Sequence, residues 1–457
     1  MKKIINQLPY SLKKLFPNAY PESYYEYELL PKIKNHPLIK PQKDTPQNIL
    51  YLNTLVGRGG AAKITYDMVA KNIINRGYDA KLLVDEVFKN INDERVSKIE
   101  KKYSKESKLL SRYQYNNGWL DFFHDSNFEI KNNKWFQNSD ILHLNNLHGN
   151  YFSLFALPEL TALKPTVWTL HDEFAYTGRC AFTYGCNKWE AQCRDCPTFE
   201  EYPGTIVDTS EFLFNTKEKI YEASDFTVLC YSEWMKKRLE KSILKNKDIK
   251  FIYNGIDENI YKPYDKTLSR EELGLPLDKK ILLFSSNGKC NDKQKGGKYL
   301  LETYERMKHR DDILFIAIGN DKREYIAPNF LNIEYVFDET KMAKYYSAAD
   351  LFIFPTLAET FGLVIAESMA CKTPVITFNT GPTPELVEHM KNGYVAEHKN
   401  TKDFIEGIEM FLQNEDLRQN AQNSARQTVE NKFTLSKMLN SYETLYKDIY
   451  EKRLKLS

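Results

Sequence analysis

No run of apolar residues in this 457-residue chain approaches the roughly 20 that a membrane-spanning helix needs. Charge is nearly balanced. Its 64 Lys and Arg face 62 Asp and Glu, a net charge of +2, so no global field recruits nucleic acid. No Asp-x-Asp triplet occurs anywhere, which leaves a metal-chelated nucleotide diphosphate of that style unsupported. No repeat at solenoid spacing is visible, and no low-complexity tract. The first residues, "MKKIINQLPYSLKKLF", are basic but too interrupted for a secretory apolar core. Seven cysteines suit thiols or metal ligands in a reducing compartment better than a disulfide framework. The exclusions point to a cytoplasmic protein. Peripheral contact with the inner face of the plasma membrane is an option, through Lys13 and Lys14 beside Leu12, Leu15 and Phe16. Packing of that segment on the neighbouring domain is the other.

What is present is a globular composition, 42% hydrophobic and 28% charged, in a chain long enough for two or three domains. Residues 1–45 carry scattered prolines and tyrosines and read as an extension. Short apolar runs follow at Asn48–Asn53, Ile141–Leu144, Thr166–Leu170 and Phe226–Tyr231. After "YNGID" the rhythm restarts, at Ile281–Ser286, Leu314–Gly319, Ile333–Val336, Leu351–Pro355 and Pro374–Phe378. Apolar strands alternating with amphipathic helices predict parallel sheets covered on both faces. Ile64, Met68, Val69 and Ile73 give the helical spacing of the first such segment. Two series predict two doubly wound α/β domains, with ligands at the carboxyl ends of the strands.

The stretch "LAETFGLVIAESMA" sets one glutamate, Glu359, in a turn and a second, Glu367, inside an apolar helix. Buried carboxylates are costly unless paired. Gly362 lets a ligand approach the backbone, and the amides of Phe361, Gly362 and Leu363 open a helix whose amino end favours an anion. Upstream, "NGKCNDKQKGGKYL" offers Lys289, Lys293, Lys295 and Lys298. Lys295, beside Gly296–Gly297, is the best placed to neutralise a leaving diphosphate; Lys293 and Lys298 read as solvated. "LVGRGGAAK" opens a helix with Gly59 and Gly60. It matches a dinucleotide loop only weakly, and a tight turn near substrate or a plain turn both fit it. His171, just past a strand in "VWTLHDEF", is placed to donate to a sugar hydroxyl with Asp172 orienting it. His148 beside Gly149 fits an acceptor-side contact, and His143 fits packing. Cys180, Cys186, Cys193 and Cys196 form C-x5-C-x6-C-x2-C. Four thiolates could close a structural zinc site; buried thiols or disulfides are the alternatives.

Together these residues resemble the retaining GT-B glycosyltransferases of glycosyltransferase family 4, which carry an E-x7-E motif. The likeness lies in "ETFGLVIAESMA", "SAADLFIFPT", "TPVITFNTGPTPELVEHMKNGYV", "NGID" and "YSEWMKKRL", over about residues 47–450. The middle, "VWTLHDEFAYTGRCAF", is similar to bacterial exopolysaccharide and colanic-acid-type transferases. The resemblance implies two Rossmann-like domains facing across a cleft. An acceptor-binding domain would span 46–250, a nucleotide-sugar domain 251–433, and a last helix over 434–457 would cross back. It implies a hexosyltransferase using a nucleotide-diphosphate sugar and a glycan or lipid-linked acceptor, with no cofactor required for catalysis. Glu359 would meet the donor sugar, Glu367 the ribose, and the Phe361–Leu363 amides the diphosphate. Lys295 would clamp the diphosphate. Lys289 stands where many members have arginine, and lysine lacks that residue's bidentate fork. His171 would lie near the transferred sugar, and Gly59 and Gly60 beside donor and acceptor. The remaining readings are a sugar phosphorylase or nucleotide-sugar epimerase of the same fold, or a non-catalytic partner subunit.

Overall fold

The computed structural model describes residues 24–88, 91–100, 112–114, 116–119, 121–122, 124–149, 151–286, 292–319 and 327–456. The chain forms two compact units. The first runs to Cys230 and takes in Lys236–Lys250 and Tyr442–Ser457; the second comprises Tyr231–Met235 and Phe251–Ser441.

The first unit holds a seven-stranded sheet: β1 (Asn48–Val56), β2 (Asp79–Val87), β3 (Val96–Lys98), β4 (Ile141–Leu144), β5 (Thr166–Thr169), β6 (Thr227–Cys230) and β7 (Asp248–Phe251). Its spatial order is β3-β2-β1-β4-β5-β6-β7, and the pairs from β3 to β6 are parallel. β4, β5 and β6 are buried along their whole length, as strands covered on both faces must be. The chain reverses its winding between β1 and β4, so the crevice at their carboxyl ends is where a ligand belongs. Helix α1 (Gly60–Asp67) leaves that end and passes through a π-turn, Met68–Asn72, and a 3-10 turn. Met68, Val69 and Ile73 are buried, as the spacing predicts, and Ile64 is half-buried. Helix α2 (Ser210–Glu222) covers one face.

The second unit holds six strands: β8 (Lys280–Ser285), β9 (Ile313–Ile318), β10 (Phe330–Ile333), β11 (Leu351–Phe354), β12 (Val375–Phe378) and β13 (Gly393–Ala396). Their order is β10-β9-β8-β11-β12-β13, parallel throughout. The winding reverses between β8 and β11. Helices α3 (Gly297–Met307), α4 (Glu339–Ala348) and α5 (Leu363–Ala370) follow β8, precede β11 and follow β11 respectively.

Several sequence expectations shift. The edge strand β10 is Phe330–Ile333, not Ile333–Val336. Only Phe330 and Asn332 of it are buried, and the aromatics beyond it, Tyr335 and Phe337, face solvent. β3, β7 and β13 have no apolar run to announce them. Tyr231–Met235 belong with the second unit. The Ser232 hydroxyl donates to the Thr360 carbonyl at 3.0 Å, and the Glu233 and Trp234 amides donate to the Glu385 carboxylate at 3.0 and 2.6 Å. The last helix, α6 (Leu435–Leu454), passes to the first unit at Tyr442. Tyr442, Tyr446 and Tyr450 recur every fourth residue and are buried, one stripe of a helical face. The Tyr446 hydroxyl meets the Tyr51 hydroxyl and His143 Nδ1, each at 2.7 Å. His143 also meets Thr169 at 2.7 Å and stacks on Tyr51, so it packs and does not face a substrate.

The described part of the extension lies on the first unit. Leu29 is fully buried, and Tyr25 contacts the rings of Trp119, Phe122, Phe155 and Phe212. The "SLKKLF" segment lies outside the described residues. Among the described residues no helix is long and apolar enough to cross a membrane.

Candidate functional site

In the second unit the loops after β8 and β11 are zipped together. The Gln294 carbonyl accepts from the Leu357 amide at 2.8 Å and the Thr356 hydroxyl at 3.1 Å, and the Gln294 side chain donates to the Ala358 carbonyl at 3.2 Å. Asp292 holds the Lys295 amide at 2.9 Å. Gly296, at φ 75°, lets the loop press on the next: a Cβ there would lie 1.7 Å from the Pro355 carbonyl oxygen. The zip delivers Lys295 Nζ to Glu359 Oε1 at 2.5 Å, with Glu359 only 8% exposed. Gly362, at φ 100°, begins α5, and no side chain caps that end. The α5 amides thus open beside a lysine and a carboxylate. The Phe361 side chain turns inward against Phe433, so only its backbone can serve a ligand.

Glu367 is buried, and its carboxylate accepts from the Tyr346 hydroxyl at 3.1 Å and from Tyr261. Burial and that carboxylate push both phenols well above their usual range. The burial problem posed by the sequence is therefore solved by hydrogen bonds from two tyrosines. Sequence reasoning missed these tyrosines, as well as Asp292, Gln294 and Gly381. Gly381, at φ 54°, passes so close to Glu359 that a Cβ would sit 2.7 Å from the Glu359 carbonyl oxygen. The glycine of "NTGPTPE" was the available signal. Lys293 and Lys298 are exposed; Lys289 lies outside the described residues.

In the first unit, Gly59, at φ 89°, precedes α1 at the carboxyl end of β1, and Gly60 begins that helix. The β4 loop lies alongside. The Thr54 hydroxyl donates to the His148 carbonyl at 2.8 Å, and Gly149 takes φ 106° where a Cβ would strike Thr54 at 2.9 Å. His171 and Asp172 follow β5. Here the structure corrects the sequence reading: Asp172 does not orient His171. Its carboxylate meets His148 Nε2 at 2.6 Å, whereas His171 Nε2 meets the Asn145 side-chain oxygen at 2.9 Å. The two neighbouring side chains of this bend therefore meet different partners, Asp172 the His148 ring and His171 the Asn145 amide. Burial opposes a charge on His148, but the Asp172 carboxylate outweighs it and holds the imidazole above its ordinary range. Burial also works against the Asp172 charge, and His148 with the Phe174 amide overcomes it, so this carboxyl lies low. Burial, joined by the nearby His148 and opposed by Asp172, pulls His171 down to about 4, which leaves it neutral near pH 7.

The four cysteines share the long loop after that turn. The Cys180 and Cys196 thiols hydrogen-bond each other, and Cys193 lies within electrostatic reach of Cys186 and Cys196. The Gly178 amide donates to Cys193 Sγ at 3.1 Å. Among the described residues no three His, Cys, Asp or Glu side chains stand ready to hold a metal ion.

Comparison with known proteins sets these two sites in a family. The profile for "Glycosyltransferase Family 4" matches residues 58–260 and that for "Glycosyl transferases group 1" matches residues 265–428. The N-acetyl-alpha-D-glucosaminyl L-malate synthase of Bacillus anthracis is 29% identical over 254 residues, 54% of this chain and 65% of its own. A protein of Escherichia coli K12 named as a colanic acid biosynthesis glycosyl transferase, WcaC, is 25% identical over 272 residues, 57% of this chain and 64% of its own. The chain thus spans just under two thirds of the length of these relatives. Among solved structures, Anabaena HepE in complex with UDP and glucose superposes with a TM-score of 0.63 at 17% identity, over 87% of this chain and 99% of its own. That likeness bears on the fold. With one profile on each unit and a parallel sheet in each, the chain belongs to the glycosyltransferases of the family 4 type and has the GT-B fold.

Proposed function

We propose that this chain moves a sugar from a nucleotide-diphosphate sugar to a glycan or lipid-linked acceptor, with retention of anomeric configuration, in cell-surface polysaccharide biosynthesis. The observation that carries the reading is the Lys295–Glu359 pair, 2.5 Å apart, beside the uncapped start of α5. A diphosphate reaching that end meets backbone amides and the helix dipole. It also competes with Glu359 for the Lys295 ammonium. Once Lys295 turns to the phosphate, Glu359 is released to accept from sugar hydroxyls. Lys295 then neutralises charge as it develops on the leaving group. Glu367, held by Tyr346 and Tyr261, is the acceptor for ribose hydroxyls.

The described residues of this site offer cationic and amide stabilisation but no activated nucleophile. Transfer in which the departing diphosphate takes the acceptor proton on the same face suits that set. In the first unit, His171 serves the sugar, and His148 with Gly59 and Gly60 serves the acceptor. Such an enzyme works in the cytoplasm, where nucleotide sugars are made. Support for sugar transfer comes from the names of both relatives, for polysaccharide biosynthesis from the colanic acid relative, and for the donor from the UDP and glucose bound by HepE, each a property of those proteins.

The test is a release assay for nucleoside diphosphate across UDP-, GDP- and ADP-sugars, followed by NMR of the product anomer. Turnover with an axial-to-axial or equatorial-to-equatorial outcome is expected. Inversion, or full transfer by a Glu359→Ala variant, would sink the reading. Phosphate-dependent release of a sugar phosphate would favour a phosphorylase instead.

A further inference from the structure

The amino-terminal ends of the first unit's strands border a pocket of about 690 Å³, within the range of small-molecule sites. Gly59, His148 and His171 lie past the opposite, carboxyl ends of β1, β4 and β5. The nine residues of β1, roughly 26 Å of strand, separate the two ends. No residue assigned above to donor or acceptor lines the pocket. The extension supplies one wall, residues 39–43, and that wall is pinned at both ends. The Ile39 amide donates to the Ala162 carbonyl at 2.9 Å, and the Tyr450 hydroxyl donates to the Lys43 carbonyl at 3.1 Å. Asp140 fixes it again, accepting from Lys43 Nζ at 3.2 Å and from the Gln47 and Asn48 amides at 2.9 Å each. A second wall is the short helix Lys134–Asn138, which brings Trp135, Gln137 and Asn138 to the pocket.

The lining has three kinds of group. Trp135 is half-buried and offers an aromatic face. Lys81 Nζ stands 6.0 Å from its ring centre, which puts positive charge beside that face. The side-chain amides of Gln42, Gln137 and Asn138 are exposed and make no hydrogen bond among the described residues. A primary amide both donates and accepts, which matches a sugar hydroxyl. The charges are uneven. Lys40, Lys43, Lys81 and Lys164 line the pocket against Asp79 and Asp140 alone. Lys43 takes Asp140, and Lys81 lies 3.7 Å from Asp79. Lys40 and Lys164 form no ion pair among the described residues. Lys164 is nevertheless held in place, donating to the Gln137 and Ser139 carbonyls at 3.0 and 2.5 Å.

We propose that this pocket is a second saccharide site, which binds a carboxylate-bearing sugar unit of an acidic glycan. The apolar face of the sugar ring lies on Trp135, and its hydroxyls exchange hydrogen bonds with the three amides. Its carboxylate draws on Lys40 and Lys164, in charge-assisted hydrogen bonds that are stronger than neutral ones. A neutral sugar leaves those two ammonium groups unanswered. A bare phosphate leaves the indole and the amides unused. The described part of the extension thereby gains a task, as a preformed wall of the site. On the transfer reading proposed above, the site holds an acidic glycan away from the reacting crevice; the binding itself does not depend on transfer.

The test is calorimetry and saturation-transfer NMR on the full chain, with no sugar nucleotide present. The probe is trigalacturonate, compared with neutral maltotriose and with inorganic phosphate. Trigalacturonate should bind about tenfold more tightly than either. Trp135→Ala should weaken it by about tenfold, the worth of one aromatic face, and Trp135→Phe should keep most of it. Lys40→Glu should also weaken it about tenfold, by reversing a charge. Lys40 is exposed and breaks no ion pair when replaced, so this variant keeps the test open where Trp135→Ala fails to fold. Saturating UDP should leave the binding unchanged. Equal affinity for phosphate or for maltotriose would overturn the proposal, as would no binding of trigalacturonate. So would its displacement by UDP, or unaltered binding in folded Trp135→Ala or Lys40→Glu. Binding that persists in a chain without sugar-transfer activity would count against the transfer reading alone and uphold the site.

Discussion

Replacing Gly296 by alanine tests whether the zipped loops set the proposed donor site. A Cβ there would stand 1.7 Å from the Pro355 carbonyl oxygen and 2.6 Å from its carbon, whereas real Cβ contacts under 3.0 Å are essentially never seen. The two backbones must therefore separate by at least 1.3 Å, from 1.7 to 3.0 Å. Neither partner is a flexible side-chain tip, so the whole 292–297 loop moves. The contacts at stake are the 2.8 Å bond from the Leu357 amide to the Gln294 carbonyl and the 2.5 Å pair of Lys295 with Glu359. Stretching either by that amount takes it outside hydrogen-bonding range. Misplacing catalytic groups by about 1 Å can cost ~10²-fold in rate, or about 2.7 kcal/mol. Gly274→Ala is the control. Gly274 also takes a left-handed φ, 66°, but a Cβ there meets nothing within 4 Å, so it reports backbone strain alone, about 1–2 kcal/mol. The assay is kcat/KM for whichever sugar nucleotide the release screen finds, with thermal melting of both variants. Gly296→Ala should lose about 100-fold in kcat/KM, and Gly274→Ala should keep its rate while melting lower. If Gly296→Ala turns over like the parent chain and melts no lower than the control, the zip does not position the site.

Lys295→Met should lower kcat by roughly 10²–10³, as expected for one lost stabiliser of developing charge; steady-state kinetics at saturating donor reads it. Tyr346→Phe removes one of two donors to Glu367, so the donor KM should rise about fivefold to tenfold, the effect of one hydrogen bond near 1 kcal/mol, with kcat little changed. A pH dependence follows from His143, which burial pulls down to about 3. As pH falls below 6.5 the unfolded chain takes up a proton that the folded chain refuses. The stability His143 contributes is therefore present above pH 6.5 and lost towards pH 3, at about 1.4 kcal/mol per pH unit. In urea titrations, His143→Gln should lose about 2 kcal/mol less than the parent between pH 6.5 and 5.

The fold was legible where burial writes itself as composition. β4, β5, β6, β8, β11 and β12 are covered on both faces, and each reads as an uninterrupted apolar run. β10 and β7 are edge strands, half in solvent, and their residues carry polar alternation that looks like loop. The expected boundary at β10 slid by three residues because the exposed aromatics of "EYVF" imitate a buried run. Turns that need a left-handed residue were readable as glycine at 59, 296 and 362. Gly381 was passed over although its turn showed a glycine, because nothing local in "NTGPTPE" shows that Glu359, 22 positions away, is what crowds it. The same limit hid Tyr261 and Tyr346. No local pattern in "YKP" or "KYYSAAD" reveals that both hydroxyls end on one carboxylate.

The histidines show how a role changes once a partner is known. His171 was expected to donate to a sugar hydroxyl. Its neighbour Asn145 donates its amide nitrogen to the Leu52 carbonyl at 3.2 Å, which assigns the amide oxygen to the His171 side. An acceptor facing Nε2 places the proton on Nε2. With a folded-state pKa of about 4, the ring carries no second proton near pH 7, so Nδ1 can only accept. On the proposed reading, a sugar hydroxyl meeting Nδ1 is therefore the donor. Deoxyfluoro sugars decide this, since fluorine cannot donate. At one ring position, fluorination should lower kcat/KM about tenfold beyond its inductive effect, the worth of one hydrogen bond near 1.4 kcal/mol. His171→Ala should erase that excess, because the coupling needs both partners. An equal fluorine effect in parent and variant at every hydroxyl position would refute an accepting Nδ1.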